Sequence, residues 1–259
     1  MNGHETYADE KRERVGFFTD TSICIGCKAC EVACKEWNAV PVDGTTWTGE
    51  SYDNTSALGA NTWRHVAFVE QQRDESIRWL MSSDVCKHCT HAACLDVCPT
   101  GALFRTEFGT VVVQEDVCNG CGYCVPACPF GVIERRETPA DGRVWKCTLC
   151  YDRLKGGHEP ACAKACPTQS IQFGPLDELR ARADARLAEV PGAQLYGREP
   201  GDGVGGFGAF FLLLDDPEVY GLPPDPVATT RDLPRMWRTM AIATGAVVAG
   251  VAAAFVGAR

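Results

Sequence analysis

Three observations predict an α+β fold of two small lobes, each built round a pair of cysteine quartets, followed by one membrane-spanning helix. All sixteen cysteines of the 259-residue chain fall into four quartets. Alternating or β-branched runs stand ahead of several quartets, as strands that lead into ligand loops should. Residues 240–258 carry no charged side chain and are bracketed by Arg238 and Arg259.

In chain order, the polar opening to Arg14 predicts a loose segment, and residues 15–18 a short strand entering the first quartet. Residues 36–61, rich in Gly, Thr, Asn and Trp, lack periodicity and are expected to form a surface excursion that meets a partner. Strands are predicted over 62–70, where apolar residues alternate, and over 109–113, a β-branched run. Residues 175–190 predict a helix, with Asp177 and Glu178 in its first turn and Pro191 closing it. The glycine-rich stretch 201–208 lacks the lysine and register of a phosphate cradle. Residues 210–214 read as a buried strand.

The quartets carry the chemistry. Cys118, Cys121, Cys124 and Cys128, followed by Pro129, form the C-x2-C-x2-C-x3-C-P run of bacterial ferredoxins. Cys24, Cys27, Cys30 and Cys34 keep that spacing without the proline. Cys86, Cys89, Cys94 and Cys98 lengthen the middle gap, and Cys147, Cys150, Cys162 and Cys166 replace it with a long loop. Three thiolates in one short loop can hold three corners of an iron-sulfur cube but cannot reach the fourth. In two-cluster ferredoxins the fourth cysteine serves the neighbouring cluster. The second and third quartets, close in sequence, form one lobe, and the first and fourth form another around it. The expected ligand sets are Cys24, Cys27, Cys30 and Cys166; Cys34, Cys147, Cys150 and Cys162; Cys86, Cys89, Cys94 and Cys128; and Cys98, Cys118, Cys121 and Cys124. The fold class is therefore α+β, with two ferredoxin-like lobes, irregular insertions and one C-terminal transmembrane helix. The domains expected are 1–80 and 141–175 for lobe one, 81–140 for lobe two, an extension over 176–235 and an anchor over 236–259.

Disulfides suit this arrangement poorly, because thiols so crowded cannot all reach disulfide geometry. Zinc is the closer rival, since paired C-x-x-C units can make a tetrahedral site. Complete quartets favour four 4Fe-4S clusters, with iron held through all sixteen cysteines. The metal then becomes part of the folding free energy. A net charge of −9 argues against nucleic acid as a partner. Lys28, Lys35, Lys87, Lys146 and Lys164 lie within the cysteine runs and are candidates to offset cluster charge. The five histidines show no catalytic spacing, and every quartet is complete without His88 and His91, which are expected to hydrogen-bond backbone or sulfur. No catalytic residue is predicted.

The span over 240–258 is long enough to cross a bilayer, and its alanines and glycines suit packing against other membrane helices. Trp237 fits the headgroup level, while Arg231, Arg235 and Arg238 place the preceding domain inside by the charge rule.

CIGCKACEVACKEWN at 24–38, CNGCGYCVPACPFGV at 118–132, KCTLCYDRL at 146–154, EPACAKACPTQSIQFG at 159–174 and VYGLPPDP at 219–226, with a terminal span, resemble the iron-sulfur beta subunit of membrane-bound respiratory formate dehydrogenase. This subunit belongs to the wider molybdopterin oxidoreductase four-cluster family. The resemblance covers nearly the whole chain and implies the same crossover. It also implies a molybdenum or tungsten bis-pterin alpha subunit that oxidises formate, and a cytochrome b gamma subunit that reduces quinone. Its best-known members are exported on the alpha subunit's signal, so it implies a cluster domain outside the cytoplasmic membrane, against the charge rule. Alternatives are the equivalent subunit of a hydrogenase or of a polysulfide, thiosulfate or nitrate reductase, an independent membrane-tethered ferredoxin, and a zinc scaffold.

Overall fold

A computed structural model describes residues 13–257 apart from 44–46, 48, 50–51, 54, 56, 74–75, 139–140 and 200–202. The opening segment to residue 12 and eight residues of the 36–61 excursion lie outside the described residues, as do positions 201–202 of the glycine-rich stretch and 258–259 at the end of the chain.

The chain begins with β1 (Val15–Asp20), a 3-10 turn and α1 (Ala29–Trp37), which carries the end of the first quartet. A ten-by-ten antiparallel hairpin follows, β2 (Arg64–Arg73) with β3 (Ser76–Val85). The second quartet runs through α2 (Ala93–Asp96) into the small hairpin β4 (Leu103–Arg105) and β5 (Val111–Val113). The third runs through α3 (Cys124–Ala127) into β6 (Glu134–Arg135), paired with β7 (Val144–Trp145). The fourth spans α4 (Tyr151–Lys155) and α5 (Ala161–Lys164) and leads into β8 (Ile171–Pro175). Then come α6 (Leu176–Glu189), β9 (Gln194–Tyr196), β10 (Ala209–Leu213) and α7 (Leu233–Gly257).

The largest sheet has the order β8-β1-β10-β9. β1 pairs antiparallel with β8 and parallel with β10, so both its edges and both its faces are buried. Alternation along the strand sends neighbouring phenylalanines to opposite faces. Phe18 stacks on Phe210 at 5.3 Å in a core that includes Leu176, Leu179 and Ala183 of α6. Phe17 faces a second core that holds Trp63, Val66, Leu149, Ile171 and thiols of the first and fourth quartets. A third, smaller core gathers Ala92, Leu103, Val111, Cys124, Ile133 and Val144 between the second and third quartets. The molecule thus has two dicluster lobes, with irregular hairpin insertions and a C-terminal apolar helix.

The glycine-rich stretch is a backing for the second quartet. Gly206 O accepts from Thr90 N at 3.1 Å, Val204 O accepts from His91 N at 2.7 Å, and Gly208 N donates to Lys87 O at 2.8 Å. A Cβ on Gly205 would stand 2.4 Å from the His91 ring, so only glycine allows this approach.

Within Leu233–Val256, the helix α7 holds an 18-residue stretch of mean hydropathy 2.0, which none of the described residues covers. It is long enough to span a bilayer and is a single-pass membrane anchor. The chain leaves the lobes for this helix at Thr230, whose hydroxyl donates to Asp96 of α2 at 2.6 Å.

Candidate iron-sulfur sites

Each quartet loop is shaped by a left-handed residue just before its second cysteine: Gly26, His88, Gly120 and Leu149 all have positive φ. Alternation of right- and left-handed backbone makes the concave nests of N–H groups that recur at iron-sulfur sites. In the third quartet a Cβ on Gly120 would stand 2.4 Å from Gly142 O. His88 and Leu149 adopt the same conformation under the usual steric cost of a side chain, a sign that the surrounding structure holds them there.

The fold sets thiols of different quartets side by side. Asn38 Nδ2 lies 3.7 Å from both Cys34 Sγ and Cys150 Sγ, joining the first and fourth quartets through one amide. Burial pushes the Cys34 thiol well above its ordinary value, and the Cys147, Cys162 and Cys150 thiols push it further. Cys24 is raised by burial and by Cys166 and Cys27. In lobe two, burial and the neighbouring Cys86, Cys94 and Cys128 raise Cys89. Burial takes Cys124 up to about 12, with Cys118, Cys98 and Cys121 adding to it. In each case the fourth cysteine of one quartet acts on thiols of its partner quartet, and none of the sixteen is in a disulfide.

The turn after each crossover cysteine of lobe two supplies donors. Burial pushes the Cys98 thiol up, but the N–H groups of Leu103, Thr100 and Ala102 and the Thr100 hydroxyl outweigh it and hold the thiol below its ordinary value. Cys128 receives the N–H groups of Val132 and Phe130 in the same way, although burial and Cys86 keep it raised. Backbone donors of this kind stabilise charge on sulfur.

Three features test whether the residues fit a cluster. Among the described residues no three Cys, His, Asp or Glu side chains converge closely enough for a single metal ion. Zinc would draw its thiolates to about 2.3 Å each, whereas a cube holds them farther apart. A cavity is lined by Cys86, Cys89, Cys94 and Cys128 together with Ala92, Val111, Phe130, Val132, Ile133, Lys87, Lys146 and His88. The His88 ring in its wall is buried, its Nδ1 accepts from Val111 N at 3.1 Å, and its Nε2 has no partner. Burial, reinforced by Lys146, Arg14 and other cations, lowers its pKa far below the ordinary value. The ring is therefore neutral, and its proton sits on Nε2. A buried donor with no acceptor costs about 1–3 kcal/mol, and cluster sulfur would remove that cost.

The five lysines divide. Lys87 and Lys146 are buried in the wall of this cavity, Lys87 over the rings of Phe130 and Phe211 and Lys146 with Cys147 O at 2.9 Å. Lys28 instead pairs with Glu31 and Asp53, Lys35 pairs with Asp43, and Lys164 is exposed. The cation that the lysine reading misses is Arg64, buried between Cys30 and Cys162. Its signal was its place at the start of an alternating strand, in register with the inward-facing Val66.

Thiols of different quartets neighbour one another electrostatically: Cys30 and Cys162, Cys147 and Cys86, and Cys94 and Cys124. Cys27 and Cys121, the second cysteines of the first and third quartets, are exposed.

Residues 23–102 and residues 77–176 each match a family described as a 4Fe-4S dicluster domain. The chain is 42% identical over 225 residues to the formate dehydrogenase iron-sulfur subunit of Haemophilus influenzae, covering 85% of this chain and 72% of that protein. It is 42% identical to the nitrate-inducible formate dehydrogenase iron-sulfur subunit of Escherichia coli, covering 86% and 76%. The B subunit of the anaerobic dimethyl sulfoxide reductase of Escherichia coli is 39% identical, over 68% of this chain and 80% of that protein.

Proposed function

The chain belongs to the family of formate dehydrogenase iron-sulfur subunits, and on that premise we propose that it is the electron-transfer subunit of a membrane-bound formate dehydrogenase. It has no catalytic site of its own and carries electrons through four 4Fe-4S clusters. They come from a molybdenum- or tungsten-pterin alpha subunit that oxidises formate, and they go to a cytochrome b gamma subunit that reduces quinone.

Bound clusters each take up and pass on one electron; the protein residues position them and set their environment. Cys24, Cys27, Cys30 and Cys166 would hold the first, and Cys34, Cys147, Cys150 and Cys162 the second. Cys86, Cys89, Cys94 and Cys128 would hold the third, and Cys98, Cys118, Cys121 and Cys124 the fourth. The observation that carries this reading is the series of neighbouring thiols that runs from Cys30 through Cys162, Cys147, Cys86, Cys94 and Cys124 to Cys121. The contact of Thr230 with Asp96, at the root of the anchor, supports output from lobe two toward the membrane subunit. Exposed Ile25, Tyr52 and Trp79 near the first quartet support input there from the catalytic subunit.

The similarity to the dimethyl sulfoxide reductase subunit favours a second reading, the same relay in another molybdopterin enzyme. Anaerobic purification from native membranes in mild detergent, with metals counted and formate-dependent quinone reduction assayed, separates the two. Four clusters' worth of iron with molybdenum or tungsten, haem and formate activity is the expected result. The same iron without formate activity would move the relay to another enzyme, and zinc in place of iron would end the reading.

A further inference from the structure

Arg64 is among the most deeply buried side chains of the protein, 1% exposed, and among the described residues it pairs with no carboxylate. Its Nη1 donates to Ser83 O at 3.0 Å and lies 3.4 Å from Ser83 Oγ, and its Nη2 donates to Cys162 Sγ at 3.4 Å. Ser83 Oγ in turn lies 3.3 Å from Cys30 Sγ. One face of the guanidinium covers the Phe17 ring, with 4.8 Å from Cζ to the ring centroid. Acids of the surrounding elements are engaged elsewhere: Asp84, opposite His65 in the hairpin, by Lys87, Glu31 by Lys28, and Asp53 by Lys28 and His65.

An isolated buried cation is one of the most costly groups a fold can carry. Sulfur stands where a counter-charge would be expected, and it comes from two ligand sets, directly at Cys162 and through Ser83 at Cys30.

We infer that Arg64 is a fixed positive charge shared by the two clusters of lobe one, holding both reduction potentials up together across the gap that an electron must cross. This rests on the ligand sets proposed above. Reduction adds negative charge to a cluster, and a cation at hydrogen-bond distance in a dry interior favours the reduced state. In the step between the two clusters one loses an electron and the other gains it. The guanidinium keeps its proton throughout, so no proton moves. Arginine is the residue suited to this, because its planar fork fixes one donor toward Ser83 and another toward Cys162, whereas an ammonium is a compact point charge on a flexible stem.

The test uses the intact complex, purified anaerobically, with iron counted and each cluster's potential read by EPR-monitored redox titration after its signal is assigned by serine replacement of one ligand per set. In Arg64→Gln, both lobe-one clusters become harder to reduce by about tenfold or more in the reduction equilibrium, which for one electron is about 59 mV. Both lobe-two clusters stay put. Ser83→Ala, a gentler change, shifts only the cluster held by Cys30. Arg64→Lys, which keeps the charge, recovers part of both shifts and carries the test if the glutamine variant loses iron. Full iron with unmoved lobe-one potentials, or with all four clusters moving alike, would overturn the role of Arg64. A wild-type complex without four assignable clusters would instead overturn the ligand sets beneath it.

Discussion

On the proposed pairing, lobe two closes within one stretch of chain, whereas lobe one is assembled from both ends of the cluster region with lobe two inserted between. Cys34 to Cys147 spans more than five times the chain of Cys98 to Cys118, yet loop-closure entropy makes that longer closure only about 1.5 kcal/mol more costly. The larger difference lies in what fills the lobes. Lobe one sits on a sheet whose central strand is buried on both faces, with Phe17, Trp63 and Ile171 in its core. Lobe two has six small or medium buried side chains, one of them a cysteine. The comparison teaches that one lobe has a protein framework to which clusters are added, while in the other the clusters stand in for the framework.

The largest expected effects come from cutting the crossover in each lobe. Cys98→Ser should abolish the cluster held by Cys118, Cys121 and Cys124, and Cys34→Ser the one held by Cys147, Cys150 and Cys162. Each should remove about a quarter of the iron, as one cluster in four, and bring formate-dependent quinone reduction to background. If the EPR signal missing in Cys98→Ser belongs to Cys86, Cys89 and Cys94, each quartet keeps its own cluster and the two-lobe pairing is wrong.

Anaerobic iron removal should separate the lobes next. Amide exchange followed by mass spectrometry should show β4 and β5 lose protection, while β8, β1 and β10 keep most of theirs. Equal loss in both would make lobe one as metal-dependent as lobe two.

The smallest effect concerns the rim between β6 and β7. Burial tends to raise the Asp141 carboxyl, but Arg143 and Arg136 outweigh it and hold it at about 2. Because the folded value lies below the ordinary one, the stabilisation is complete above the ordinary carboxylate range. It is lost as the pH falls through about 2. Asp141→Asn should lower the melting temperature slightly at neutral pH without loss of iron, and that deficit should shrink toward pH 2. A deficit that does not change with pH would assign the effect to packing rather than charge.

Cysteine spacing made the quartets legible because ligation is a local constraint. The strands at 15–18, 62–70, 109–113 and 210–214 and the helix at 175–190 were legible from periodicity, and their observed bounds differ from these by at most three residues at either end. What local pattern could not carry was pairing: nothing in residues 15–18 announces that β10 lies parallel beside them. β3 has no counterpart among the predicted strands, because the buried Ser82 and Ser83 break the apolar pattern of that segment. Lysines inside the cysteine runs drew attention by sequence proximity; Lys87 and Lys146 line the cavity of the second quartet, while Lys28 and Lys35 pair with acids and Lys164 is exposed. Arg64 lies far from every cysteine in sequence and was invisible to that criterion.

The position of β1 between β8 and β10 has a consequence for biogenesis. Translation delivers β1 first, but its parallel neighbour becomes available only when Ala209–Leu213 has left the ribosome. A nascent chain that has reached the third quartet already contains every thiol lobe two needs, while lobe one still lacks its fourth quartet and its sheet. On the proposed pairing, lobe two therefore holds all its thiols before lobe one does, although its backing from Val204, Gly206 and Gly208 arrives only just ahead of β10.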